Sequence, residues 1–164
     1  MRTSALLSVF VLALFAAGCA PMPSAKGSIL HSGPVPEMLP DKNSAVVTFY
    51  RPKAFVGGGA SFYIQENGEN IGGLRNGTYF SVRTTPGRHT YTAETSVADK
   101  DAITITAKSN TTSYIEATVS MGVWMGEPHL KEVSDATAKP EIQKLKYIEL
   151  KPVGQPGQGS AYGL

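Results

Sequence analysis

The chain has 164 residues, 41% of them hydrophobic and 17% charged, and its 15 basic and 13 acidic side chains leave a formal net charge of +2. Apart from Arg2, the basic residues are scattered from Lys26 to Lys151. So small and dispersed an excess excludes a nucleic-acid surface and a polybasic membrane patch. The single cysteine excludes a disulfide within the chain.

The first element is a signal. Met1-Arg2 supplies a positive end, residues 5–17 are apolar apart from Ser8, and the small residues Ala16-Ala17-Gly18 lead directly into Cys19. An apolar run of about 13 residues is short of the ~20 that a permanent membrane helix needs, so residues 1–18 are expected to be removed. The string resembles a bacterial lipoprotein signal. That resemblance implies cleavage before Cys19, a diacylglyceryl group on its thiol and a further acyl chain, such as palmitate, on its amine. Three chains would hold the protein on a membrane almost permanently, since each buried methylene adds ~0.8 kcal/mol. Ala20 stands where aspartate retains some lipoproteins in the inner membrane, which points to the outer membrane, facing the periplasm. The alternative is an ordinary secretory peptide with an incidental cysteine.

Residues 19–43 carry Pro21, Pro23, Pro34, Pro36 and Pro40 among small and polar residues, which predicts an extended tether. At the far end, residues 151–164 are too poor in apolar side chains to order themselves and are expected to form a frayed tail.

Between them, residues 44–150 show a hydrophobic period of two. Val47 and Phe49 alternate with Thr48 and Tyr50; Phe62 and Ile64 with Tyr63 and Gln65; Phe80 and Val82 with Tyr79, Ser81 and Arg83. Ile103 and Ile105 continue the rhythm, as do Ile115, Ala117 and Val119. Such segments are half-buried strands. Asn67-Gly68 suits a type I′ hairpin turn, Asn76-Gly77 is read the same way, and Thr85-Pro86-Gly87-Arg88 fits a type II turn. The expected fold is all-β: an antiparallel sandwich of about seven to eight strands. One short helix is predicted over about residues 140–144, started by Pro140 and packed through Ile142 and Leu145.

Several blocks carry a resemblance to a known family: Val47-Thr48-Phe49-Tyr50-Arg51-Pro52, the hairpin from Phe62 to Gly73, Gly77-Thr78-Tyr79-Phe80 running into Thr85-Pro86-Gly87-Arg88-His89, and Leu130-Lys131-Glu132-Val133. Over about residues 45–146 the chain resembles bacterial lipoproteins of Domain of Unknown Function family 2846. Its central part is similar to PEGA domains. The resemblance implies a transthyretin-like or PEGA-like sandwich; it brings no reaction and no functional residues.

No local pattern supplies chemistry. His31, His89 and His129 lack neighbours at metal-ligand spacing, so no metal and no other cofactor is expected. Neither Ser61 nor Ser81 sits in a nucleophile elbow, and no serine, histidine and acid lie close together in sequence. Asp99 and Asp101 read as turn formers, Arg51 and Lys53 as solvated surface, and Gly57-Gly58-Gly59 as a flexible loop with no phosphate-binding sequel. The weak candidates are for partner binding: Trp124, Met121 and Met125 in a glycine-flanked loop, and Phe55 beside the glycine triplet. Trp124 capping the core is the competing reading.

The expectation is therefore a non-enzymatic envelope lipoprotein, anchored to the membrane through Cys19, that binds a protein or cell-wall partner. The alternative is an envelope hydrolase, or a carbohydrate- or peptidoglycan-binding module, whose site is assembled from distant loops.

Overall fold

The period-two segments become strands of two stacked sheets. A computed structural model describes residues 28–31, 35, 37–55, 57–94, 101–121 and 126–150, with the backbone alone at 28–31, 121 and 126. Along the chain lie β1 (Ser28–His31), β2 (Ala45–Arg51), β3 (Phe62–Glu66), β4 (Glu69–Leu74), β5 (Thr78–Thr84) and β6 (Gly87–Glu94). They are followed by β7 (Asp101–Ala107), β8 (Thr112–Met121), β9 (Gly126–Val133), the helix α1 (Asp135–Ile142) and β10 (Lys146–Leu150). One sheet has the order β1-β10-β5-β2-β8-β9, the other β4-β3-β6-β7.

The protein is an all-β sandwich with one short helix, as expected, but with ten strands among the described residues. One strand beyond the expected set is β1, which lies inside the stretch read as tether. It pairs antiparallel with β10, from Ser28 opposite Leu150 to His31 opposite Tyr147. Ile29 and Leu30 are good strand residues, and the nearest prolines, Pro23 and Pro34, flank the strand without entering it.

Antiparallel pairing is not complete. β2 and β8 run parallel, with Val46 opposite Thr112 and Tyr50 opposite Glu116, and so do β10 and β5. Parallel neighbours need a long crossover. The chain provides the first by building β6 and β7 in the other sheet before it returns as β8.

Phe49, Phe80 and Tyr91 fill the space between the sheets: the Phe49 ring stacks on Phe80 at 5.2 Å and meets Tyr91 edge-on at 4.9 Å. β2 is buried along all seven residues. Its inward face joins that core, while on the outward face Tyr50 packs with Tyr114 beneath Ala138 of α1.

Turn chemistry explains the connections. Asn67 and Gly68 have φ of +52° and +81°, the two positive values of a type I′ hairpin. At Asn76-Gly77 only the glycine is positive, at +74°, because this turn carries the chain from β4 to β5 in the other sheet and closes no hairpin. Gly87, at +143°, likewise departs from type II geometry as β5 passes into β6 across the sandwich.

The helix starts five residues before the expected Pro140. Ser134, in extended conformation, accepts from the N–H groups of Thr137 (3.0 Å) and Ala138 (2.9 Å). Pro140 is tolerated inside because its missing donor deprives only the carbonyl of Ala136, an exposed residue in reach of water.

Candidate functional site

An eight-residue helix covers only part of the outward face of the six-stranded sheet. Beside it lies a cleft of about 400 Å³. Strand alternation and register supply its floor. Thr48 on β2 lies opposite Ser81 on β5 and Tyr114 on β8, and Thr112 and Tyr114, two apart, share a face. A second row places Tyr147 of β10 opposite Tyr79 of β5. The rim comes from Lys139, Ile142 and Gln143 at the helix and from Val35, Glu37 and Met38.

The floor is hydroxylic and the walls are aromatic. Thr48 Oγ1 and Ser81 Oγ share one hydrogen bond of 2.9 Å. The Tyr79 and Tyr147 rings meet edge to face, with centroids 5.2 Å apart at 60°. Burial pushes up the pKa of Tyr79, Tyr114 and Tyr147, assisted at Tyr79 by the charge of Glu37. All three therefore stay neutral hydroxyls at physiological pH, able both to donate and to accept. Lys139 has its pKa raised by its bond to Asp135 and then by Tyr114, with Glu37 adding to the effect. Its ammonium stands 2.9 Å from the Asp135 carboxylate, so the one cation among the described rim residues is already paired.

The structure also groups polar residues that the sequence kept apart. Ser120 Oγ lies 2.9 Å from His129 Nε2, and His129 Nδ1 lies 3.9 Å from Asp101 Oδ2, which brings together a serine, a histidine and an acid from β8, β9 and β7. The 3.9 Å separation is beyond hydrogen-bond range. The same Asp101 oxygen accepts the Leu130 N–H at 2.7 Å and so satisfies a donor of the edge strand β9. Asp101 is thus the first residue of β7 and not a turn former. His129, with 52% of its side chain exposed, borders neither the cleft nor the second hollow around His89.

In that second, more open hollow, His89 Nδ1 is 2.5 Å from Glu66 Oε1 and Nε2 is 2.8 Å from the Thr85 carbonyl. Both ring nitrogens face acceptors. Thr84 Oγ1 lies 3.3 Å from each and is aligned with neither. The imidazole is a clasp joining β3, β6 and the end of β5, and it has no nitrogen directed at a hydroxyl to be activated.

Arg51, read as solvated surface, is only 2% exposed. Its guanidinium donates to the carbonyls of Ala60 (2.5 Å) and Gly57 (2.6 Å) and lies 4.6 Å above the Phe62 ring. Asn76 grips the same loop, bonding both the N–H and the carbonyl of Ala54 at 2.8 Å. The loop so held presents Phe55 fully to solvent. Gly57 and Gly58 are required there: a Cβ on the first would stand 3.0 Å from the Val119 side chain, and on the second 2.9 Å from the Ala54 carbonyl oxygen. Of the other candidates, Cys19, Trp124 and Met125 lie outside the described residues, and Met121 ends β8 with its backbone alone described. Among the described residues, no cluster of three or more His, Cys, Asp or Glu could hold a metal, and no helix is long and apolar enough to cross a membrane.

Residues 41–129, more than half of the chain, match the family model described as Protein of unknown function (DUF2846). The chain belongs to the DUF2846 family. No curated protein and no solved structure matches it. The DUF2846 match takes in the cleft floor and the Tyr79 and Tyr114 walls. Lys139, Ile142 and Tyr147 come after its end, and Val35 to Met38 before its start.

Proposed function

We propose that this DUF2846 protein is a lipid-anchored module of the bacterial envelope that binds its partner without catalysis, through the tyrosine-lined cleft. The cleft is the observation that carries the reading: a concave site of about 400 Å³ with hydroxyls at its base, aromatic walls and a paired cation at its rim. That combination matches the usual make-up of a small-ligand site. The anchor is inferred from the apolar run and small residues that precede Cys19. Since β1 begins at Ser28, only residues 20–27 separate the lipid from the folded domain, a reach of at most about 30 Å. The module thus works close to its membrane, at a cell-wall or protein partner within that distance.

Two measurements test this. Mass spectrometry of the native protein should find an acylated amino terminus at Cys19; a free thiol, or a retained segment 1–18, refutes the anchor. A photo-crosslinking residue at Gln143, on the cleft rim, should capture an envelope component in cells, whereas one at the exposed Arg88, away from the cleft, should not. Equal capture at both positions refutes the cleft as the binding site.

A further inference from the structure

We infer that the ligand of the cleft is an uncharged saccharide, an inference that rests on reading the cleft as a binding site. Each ligand class would leave different groups of the cleft unsatisfied. An acyl chain or another wholly apolar ligand would desolvate the hydroxyls of Thr48, Ser81 and Thr112 and of the surrounding tyrosines without replacing the hydrogen bonds they make to water. Among the described lining residues a phosphate or carboxylate would find one cation, Lys139, already held by Asp135 and facing the field of Glu37. A pyranose ring meets both demands. Its hydroxyls both donate and accept, and its axial C–H groups form an apolar face that rests on the electron-rich face of an aromatic ring.

The local geometry suits such a ring. The hydrogen bond between Thr48 and Ser81 uses one of their two hydroxyl hydrogens, leaving the other and several lone pairs for a ligand. Tyr79 and Tyr147, which meet edge to face, both line the cleft and bring aromatic surface to it. The cleft volume, about 400 Å³, is near the lower end for small-molecule sites and has room for roughly one or two sugar rings.

The test uses the full mature chain in nanodiscs, with saturation-transfer NMR against maltose and the N-acetylglucosamine dimer chitobiose, and with decanoate and inorganic phosphate as counter-probes. At least one disaccharide should receive saturation, with a dissociation constant of order 0.1–1 mM. Tyr147→Ala should weaken it about tenfold and Tyr147→Phe less than about twofold, because the ring and not its hydroxyl supplies the stacking. Ser81→Ala, whose small change spares the fold, should weaken it severalfold and serves as the second variant if Tyr147→Ala unfolds. Decanoate or phosphate binding in place of both sugars overturns the saccharide assignment and leaves the cleft reading standing. Sugar binding unchanged in both Tyr147→Ala and Ser81→Ala overturns the location. No binding by any probe up to about 10 mM, with no capture from Gln143, overturns the cleft reading itself.

Discussion

Replacing Tyr50 by Phe should stabilise the protein. Tyr50 is completely buried under α1, and its hydroxyl has no hydrogen-bond partner among the described residues. Burying a hydroxyl without a partner costs about 1–3 kcal/mol. Phenylalanine removes that cost and keeps the ring against Tyr114 and Ala138. The small void left by the oxygen cancels part of the gain, so about 1 kcal/mol remains, or roughly 5 °C in melting temperature for a domain of this size. Tyr114→Phe is the control. Tyr114 sits under the same helix, but its hydroxyl is not stranded as that of Tyr50 is, so its removal should bring no gain in stability. Urea unfolding of the two variants, at unchanged denaturant slope, reads both effects. A loss of more than about 1 kcal/mol in Tyr50→Phe refutes the reasoning, because it would mean that water penetrates beneath the helix and satisfies the hydroxyl.

Other predictions follow from packing and charge. Gly72→Ala would place a Cβ 2.7 to 3.0 Å from three atoms of the fully buried Phe80 ring; a loss of about 1–3 kcal/mol is expected in urea unfolding, and a neutral result would mean the core yields there. Burial holds the pKa of Tyr50 and of Tyr91 up at about 12, against 10.0 in the unfolded chain. Above pH 10 the unfolded state therefore loses these protons first, and stability, intact below that pH, should fall as it rises toward 12, by up to about 1.4 kcal/mol per pH unit for each tyrosine; a flat unfolding free energy across that window contradicts it. A fluorophosphonate ester should leave Ser120 unmodified in intact-protein mass spectra, because the His129 beside it lacks a bonded acid. An adduct that His129→Ala abolishes would revive the hydrolase reading.

What the sequence made legible was the inward half of the fold. Phe62 and Ile64, Phe80 and Val82, and Ile115 and Ala117 face the inter-sheet core as their period of two demands. The outward half was hidden, because β2 is covered on both faces and alternation then no longer separates inside from outside. Parallel pairing of β2 with β8 is set by the path of β6 and β7 through the other sheet, which leaves no local trace. The helix start was masked by Pro140, whose usual place in a first turn drew the boundary too late. Arg51 looked like surface because an arginine beside Pro52 and Lys53 carries no sign that two loop carbonyls will fold over it. The cleft had no signature at all: Thr48, Tyr79, Tyr114 and Tyr147 are spread over a hundred residues and meet only through strand order. A weak clue was available. Four of the seven tyrosines fall on outward positions of β2, β5, β8 and β10, an excess on a face that a plain two-layer sandwich would leave to water.

The shortness of α1 is what leaves room for a ligand, and this gives a way to separate fold from function. The helix packs on Tyr50 and Tyr114, while Thr48 and Ser81, the next residues along the Tyr114 row, line the base of the cleft and share one hydrogen bond there. When both members of such a pair are replaced together by apolar groups of similar shape, neither is left unpaired, and the change in stability is close to zero or favourable. The double variant Thr48→Val, Ser81→Ala should therefore unfold within about 0.5 kcal/mol of the parent or later, whereas Thr48→Val alone strands the Ser81 hydroxyl and should cost about 1 kcal/mol. If the pair served only the fold, the double variant would bind disaccharide as the parent does. If it is the polar half of a sugar site, affinity should drop about tenfold in a protein of undiminished stability, as expected where binding rather than packing maintains a polar base under an aromatic cleft.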